Sequence, residues 1–102
     1  MIKLNDENFL EFTNGNNSIV QFSADWCGPC KILTSTLKGV SDKNPDVSFG
    51  KLNIDEHAEA AATFMIRSIP VLVFFEGGKE KARIMGAQSA AKIQKFIDDN
   101  KG

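Results

Sequence analysis

The stretch Gln21–Lys31, QFSADWCGPCK, holds both cysteines of the chain, two residues apart. Its first half completes a strand-like run, Ser18–Ser23 (SIVQFS). Its second half leads into a segment where Leu33, Leu37 and Val40 recur at i, i+4 and i+7, one face of a helix. The two thiols therefore fall at a strand-to-helix junction, in the first turn of the helix. Unpaired N–H groups and the positive end of the helix dipole meet there, and both favour a thiolate at Cys27. Pro29 suits a first turn, where its missing N–H is not needed. Gly28 puts no side chain in the way of an approaching substrate. Cys30, one turn further in, is expected to be more buried and to rest as a thiol.

Working outward, Ile2–Leu4 reads as a short strand. Asn5 or Asp6 can cap a helix running to about Asn14, with Phe9 and either Phe12 or Leu10 turned inward and Gly15 ending it. Asn44-Pro45-Asp46 breaks the helix that follows the cysteines. Val47–Ile54 alternates as a strand, with Val47, Phe49 and Lys51 on one face and Gly50, Leu52 and Ile54 on the other. Ala58, Ala61, Ala62 and Met65 then return to helical spacing. Val71–Phe75 (VLVFF) is continuously apolar, as in a strand buried on both faces. Glu76-Gly77-Gly78-Lys79 predicts a hairpin into a last strand near Glu80–Met85. Ser89 can cap a final helix whose Ile93, Phe96 and Ile97 face the sheet. The order is β-α-β-α-β-α-β-β-α, which favours an α/β sandwich: parallel strands first, an antiparallel hairpin last, and helices on both faces of a mixed sheet.

A length of 102 residues suits one domain with a single core. Twelve basic and thirteen acidic residues give a net charge of -1, and the basic residues are dispersed, which argues against nucleic acid as a partner. The N-terminal MIKLNDENFLEF has no apolar run of signal-peptide length, and Ile69–Phe75 is too short to cross a bilayer. A cytoplasmic location follows as an expectation, and there a cysteine pair points to catalysis or metal binding rather than to a structural staple.

Zinc usually takes four ligands, while the chain offers two cysteines and one histidine, His57, on a different element; a zinc site shared between two chains stays open. His57 by itself reads as a solvated helix residue. An inert disulfide over so short a loop would add little stability, because the entropic gain shrinks with loop size. Redox chemistry explains the pair best: a thiolate on Cys27 attacks a disulfide, and Cys30 then attacks the Cys27 sulfur, closing a Cys27–Cys30 disulfide.

Trp26-Cys27-Gly28-Pro29-Cys30-Lys31 resembles the active site of the thioredoxin family, and the resemblance extends from about residue 18 to the C-terminus. Lys51-Leu52-Asn53-Ile54-Asp55 is similar to the family's third-strand segment, Ile69-Pro70 to its cis-proline loop, Phe75–Lys79 to its hairpin, and Gly86-Ala87 with Ser89 to its last turn. The resemblance implies the thioredoxin fold, a mixed five-stranded sheet flanked by four helices. It implies that Cys27 is the exposed nucleophile, Cys30 the resolving thiol, and Ile69–Pro70 a cis bond packed beside them. The Ile69 backbone would then be free to pair with an extended substrate. Trp26, Ile54, Ile69, Pro70, Met85, Gly86 and Ala87 would form a shallow apolar rim, although Met85 fits the core equally well. Neither metal nor organic cofactor is implied. The implied partners are disulfide-bearing proteins and a separate reductase that restores the dithiol, with the chain itself a monomer.

Three departures qualify the resemblance. Gln21 stands where the family commonly buries an aspartate, thought to act as proton acceptor for the resolving cysteine near a lysine that matches Lys51. Glutamine cannot serve as a base. Its presence is expected to stabilise the reduced fold by removing a lone buried charge, and to slow the Cys30 step. It should also lower the pKa of Cys27 further and make the pair more oxidising. Gln21 can equally be a core residue that only satisfies hydrogen bonds. Ser23 replaces a second tryptophan, and Ser35 replaces a proline that often kinks the long helix, so that helix should run straighter. The expected function is protein-disulfide reduction. Its rivals are a more oxidising exchange or isomerase activity, against which the Gly-Pro dipeptide counts, and a non-enzymatic binding subunit gripping partners through the Trp26/Pro70/Gly86 face.

Overall fold

SIVQFS forms the middle strand of the sheet. The structure, a computed structural model, describes residues 1–102. Its elements are β1 (Ile2–Leu4), α1 (Phe9–Thr13), β2 (Ser18–Ser23), α2 (Gly28–Asp42), β3 (Ser48–Asn53), α3 (Ala58–Thr63), β4 (Val71–Glu76), β5 (Lys79–Met85) and α4 (Ala90–Asn100). The strand order is β1-β3-β2-β4-β5. β1 and β2 lie parallel to β3, whereas β4 runs antiparallel to β2 and to β5. This is the expected mixed sheet of five strands with four helices.

The period-two alternation of the strands divides the core. Ile19, Phe49, Leu72 and Phe74 pack under α2 and α4, against Leu33, Leu37, Val40, Ile93, Phe96 and Ile97. Leu4, Val20, Phe22, Leu52, Val73 and Phe75 pack on the opposite face with Phe9, Ala60 and Ala61 of α1 and α3. β4 is buried along Val71–Phe75, as its unbroken apolar run predicts. The β4–β5 turn needs two residues at positive φ to match the strand twist, and Gly77 (φ 58°) and Gly78 (φ 82°) supply them. Gly50 is needed for space: a Cβ there would sit 2.7 Å from Leu4 Cδ1 and 3.0 Å from Phe12 Cζ.

Two helices differ from expectation. The Asn5 side chain accepts from the N–H groups of Glu7 and Asn8 and its carbonyl from that of Phe9, the capping role expected of it, but residues 6–8 form a turn and α1 itself runs only from Phe9. Phe9 is buried as expected; of the two candidates beside it, Leu10 is 73% exposed and the half-buried Phe12 packs inward, and the helix stops at Thr13, just before Gly15. α3 buries Ala60 and Ala61 rather than Ala58, Ala62 and Met65. The helix is only six residues long and ends with Met65 at φ 51°, which turns Met65 outward. Phe64 goes inward instead, its ring 5.0 Å from that of Phe75 and 5.6 Å from that of Phe9.

Candidate functional site

β2 ends at Ser23, and four residues later Cys27 occupies the N-cap of α2. Its Sγ accepts the Cys30 N–H at 3.2 Å, taking the place of the hydroxyl or carboxylate that normally caps a helix. Cys27 and Cys30 are joined as a disulfide across a Cα separation of 5.2 Å. The expected contrast in burial is small in this oxidised form. Cys27 is 4% exposed and Cys30 1%, so Cys27 is the more accessible but is not an open side chain. Both pack against Ala24, Ile54 and Ile69, which seal the pair from the side. Gly28 and Pro29 are exposed, and a Cβ at position 28 would meet nothing within 4 Å.

The Ile69–Pro70 bond is cis. Pro70 is buried, and its carbonyl accepts the Gly86 N–H at 2.9 Å, tying the exit of β5 to the proline loop. Ile69 is half-buried, and neither its N–H nor its carbonyl is engaged by other backbone groups. Met85, paired with Val71 across the β4–β5 ladder, is 61% exposed, which favours a surface role over a core one. Gly86 is half-buried and Ala87 exposed. Trp26 is 71% exposed, yet it is held: its indole Nε1 donates to Asp55 Oδ2 at 2.7 Å.

Behind the disulfide lies a polar patch. Gln21 is fully buried, and its Nε2 donates to the Cys30 carbonyl at 3.0 Å. The Thr34 hydroxyl lies 3.1 Å from Gln21 Oε1 and 2.9 Å from the same Cys30 carbonyl. The Ser23 hydroxyl, on the same face of β2, is buried without a partner. Lys51 is half-buried, in register with Lys3 on one side and Gln21 on the other. It makes no ion pair and opens with Thr34, Lys38, Asp25 and Asn53 onto a polar cleft of about 350 Å³. Lys51, on the strand face it shares with Phe49, thus lies at the edge of the core. α2 runs unbroken past Ser35.

The sequence profile of the Thioredoxin family matches residues 1–99. The chain belongs to the thioredoxin family. Its curated relatives include the thioredoxin of Chlamydia pneumoniae, 38% identical over 96% of this chain and 97% of that one. They also include the thioredoxin of Buchnera aphidicola, 40% identical over 98% and 95%. Among solved structures, the thioredoxin of Fasciola hepatica is similar at a TM-score of 0.87, with 31% identity over 99% of this chain and 100% of that one. As a thioredoxin-family protein it is a dithiol thiol–disulfide oxidoreductase, with Cys27 and Cys30 as the redox pair.

Two contacts of this thioredoxin-family site escape a reading of the sequence. Thr34 had a signal: a threonine in a helix readily bonds the carbonyl four residues back, which here is that of Cys30. Asp55 had none that ties it to Trp26, because the two are 29 residues apart and meet only through the fold.

Proposed function

We propose that the protein reduces disulfides in other proteins, with Cys27 as attacking thiolate and Cys30 as resolving thiol. The observation that carries this reading is the placement of Cys27 at the N-cap of a fifteen-residue helix, one N–H already directed at its sulfur at 3.2 Å. An N–H and the dipole of a long helix favour the thiolate over the thiol. In the first step the Cys27 thiolate bonds to one sulfur of the substrate disulfide and the other leaves as a thiolate. In the second, Cys30 closes on Cys27 and the first substrate sulfur leaves, so the substrate gains two electrons and the cysteine pair loses two.

The rim of Trp26, Ile54, Ile69, Pro70, Met85, Gly86 and Ala87 receives an extended segment of the substrate, the unengaged Ile69 backbone pairing with it as an added strand. Disulfide-bearing proteins are the substrates, a separate thioredoxin reductase restores the dithiol, and the protein works as a monomer in the cytoplasm. No helix of the chain is long and apolar enough to cross a membrane.

A second reading, a more oxidising exchange protein, is favoured by Gln21, because a neutral amide in place of a carboxylate leaves the Cys27 thiolate less opposed. The decisive experiment equilibrates the pair against a dithiol of known potential and follows Trp26 fluorescence. Thioredoxin itself provides the reference of about −270 mV, and a value near it identifies a reductant. A value of about −200 mV or higher would assign the protein to the oxidising reading instead. Cys27→Ser is expected to abolish disulfide reduction.

A further inference from the structure

The hydrogen-bond triangle of Gln21, Thr34 and the Cys30 carbonyl has no part in the exchange described so far. Gln21 neither gains nor loses a proton at neutral pH, and a threonine hydroxyl does not either, so neither is a base. What they share is the Cys30 carbonyl, reached by Gln21 Nε2 at 3.0 Å and by Thr34 Oγ1 at 2.9 Å. That carbonyl can only accept. An amide is symmetric enough in shape to sit either way round, and the reversed setting would place Gln21 Oε1 against the carbonyl, oxygen to oxygen. The Thr34 hydroxyl has one proton to share between Oε1 at 3.1 Å and the carbonyl at 2.9 Å. Because Gln21 Nε2 already serves the carbonyl, the proton placed on Oε1 gives that oxygen a donor on the far side and favours the productive orientation. Thr34 is half-buried, and its outer side faces the polar cleft shared with Lys51 and Asp25. Solvent therefore comes within one side chain of the Cys30 turn.

We infer that Thr34 is a positioning residue for the second half of the exchange: it fixes the Gln21 amide on the Cys30 carbonyl, and the two together seat the Cys30 thiol for attack on Cys27. The inference rests on Cys30 being the resolving thiol. In that step a Cys30–Cys27 S–S bond forms and the Cys27–substrate S–S bond breaks, its electron pair leaving on the substrate sulfur. The Cys30 proton passes to water at the cleft and from there to the released thiolate. No group in the triangle changes its charge, so its contribution is geometric.

The test uses reduced protein and an excess of a symmetrical aromatic disulfide, so that attack by Cys27 outruns resolution. Acid-quenched samples are weighed by mass spectrometry to follow the mixed disulfide. Thr34→Val keeps the shape of the side chain and is expected to slow decay of the mixed disulfide about three- to tenfold, the worth of one hydrogen bond in the transition state. Formation of the mixed disulfide, which depends on Cys27, should keep its rate. Thr34→Ser restores the hydroxyl and should restore the decay. A role confined to stability would lower the unfolding midpoint without changing the ratio of decay to formation. Parent-like decay in Thr34→Val, or failure of Thr34→Ser to recover it, would overturn the inference. Thr34→Ala, with its higher helix propensity, repeats the test if the valine variant unfolds. Cys30→Ser checks the underlying role separately: its mixed disulfide should persist, and release of the second aromatic thiol at the parent rate would show that Cys30 is not the resolving thiol.

Discussion

Val20 and Phe22 point to one face of β2, and Ile19, Gln21 and Ser23 to the other; all five are essentially inaccessible to water. Around Val20 and Phe22 the first face is packed with apolar side chains, and aromatic rings meet edge to face, Phe9 with Phe75 at 5.7 Å and Phe64 with Phe75 at 5.0 Å. Its one polar β2 residue, Ser18, lies at the end away from the cysteines and donates to the Phe12 carbonyl. On the second face the apolar packing under α2 and α4 gives way, towards the cysteines, to an amide and two hydroxyls. Equal burial therefore serves different ends. Around Val20 and Phe22 the first face contributes apolar packing, whereas the second gives up apolar packing at one end to hold the turn that carries Cys30. A buried amide that is hydrogen-bonded at both ends costs little, while the same group left unpaired would cost a good deal.

This contrast can be broken most forcefully on the apolar face. Phe75→Ala should lower the unfolding free energy by about 3–5 kcal/mol, the usual cost of emptying a buried aromatic site. Chemical denaturation would show the shift, and the rate of disulfide exchange per folded molecule should not change. If that rate fell in step with stability, the two faces would not be separable as described.

The polar face should respond in the opposite sense, with a smaller loss of stability and a larger change in chemistry. Gln21→Asp removes the donor to the Cys30 carbonyl and buries a carboxyl in its place. Burial would raise the carboxyl's folded pKa above its unfolded value, so the destabilisation is greatest above the folded pKa and fades as pH falls towards the unfolded one. At neutral pH the loss should be about 1–3 kcal/mol. The exchange rate should acquire a pH dependence that the parent lacks, visible in a pH–rate profile. An unaltered profile would mean that position 21 has no influence on the cysteine pair.

The smallest effect is expected on the edge strand β5, at a partly exposed ion pair. The guanidinium of Arg83 hydrogen-bonds the Glu80 carboxylate and holds its pKa below the usual glutamate range, even against partial burial. A depressed folded pKa gives stability that is present above the unfolded pKa and lost as pH falls through the folded one. Because the pair is partly exposed, Glu80→Gln should cost less than about 1 kcal/mol at neutral pH, and the difference from the parent should close in acid. Equal thermal midpoints for parent and variant at pH 7 would show that the pair is neutral to folding.

Much of this was legible in the residues. The element order, the buried β4 run, the Gly77-Gly78 turn, the Ser89 cap and the paired cysteines at a helix start each follow from a local rule: alternation, turn chemistry or capping. The Ser89 hydroxyl does accept the Lys92 N–H, at 3.3 Å. What misled were short apolar stretches. In α3 four small or flexible residues fit a helical period, but six residues fix the phase poorly, and the ring of Phe64 had more to gain inside than Met65 did. At α1 the Asn5 cap was legible, but so short a helix left Phe12 and Leu10 undecided as the partner of Phe9, and the fold turned Phe12 inward.

By itself the sequence determined that a strand would lead into a helix carrying two thiols in its first turn, because those patterns depend only on neighbours along the chain. Gln21 was visible there as an anomaly without an explanation. Only the tertiary structure decided what it touches, since Cys30 and Thr34 reach it by the folding of α2 back over β2. It likewise decided that Trp26 is held by Asp55 and that Lys51 faces a cleft rather than the core. The physical reason is the same in each case. Hydrogen bonds extend about three ångströms, and which groups come within that reach is set by packing of elements that sequence periodicity describes one at a time.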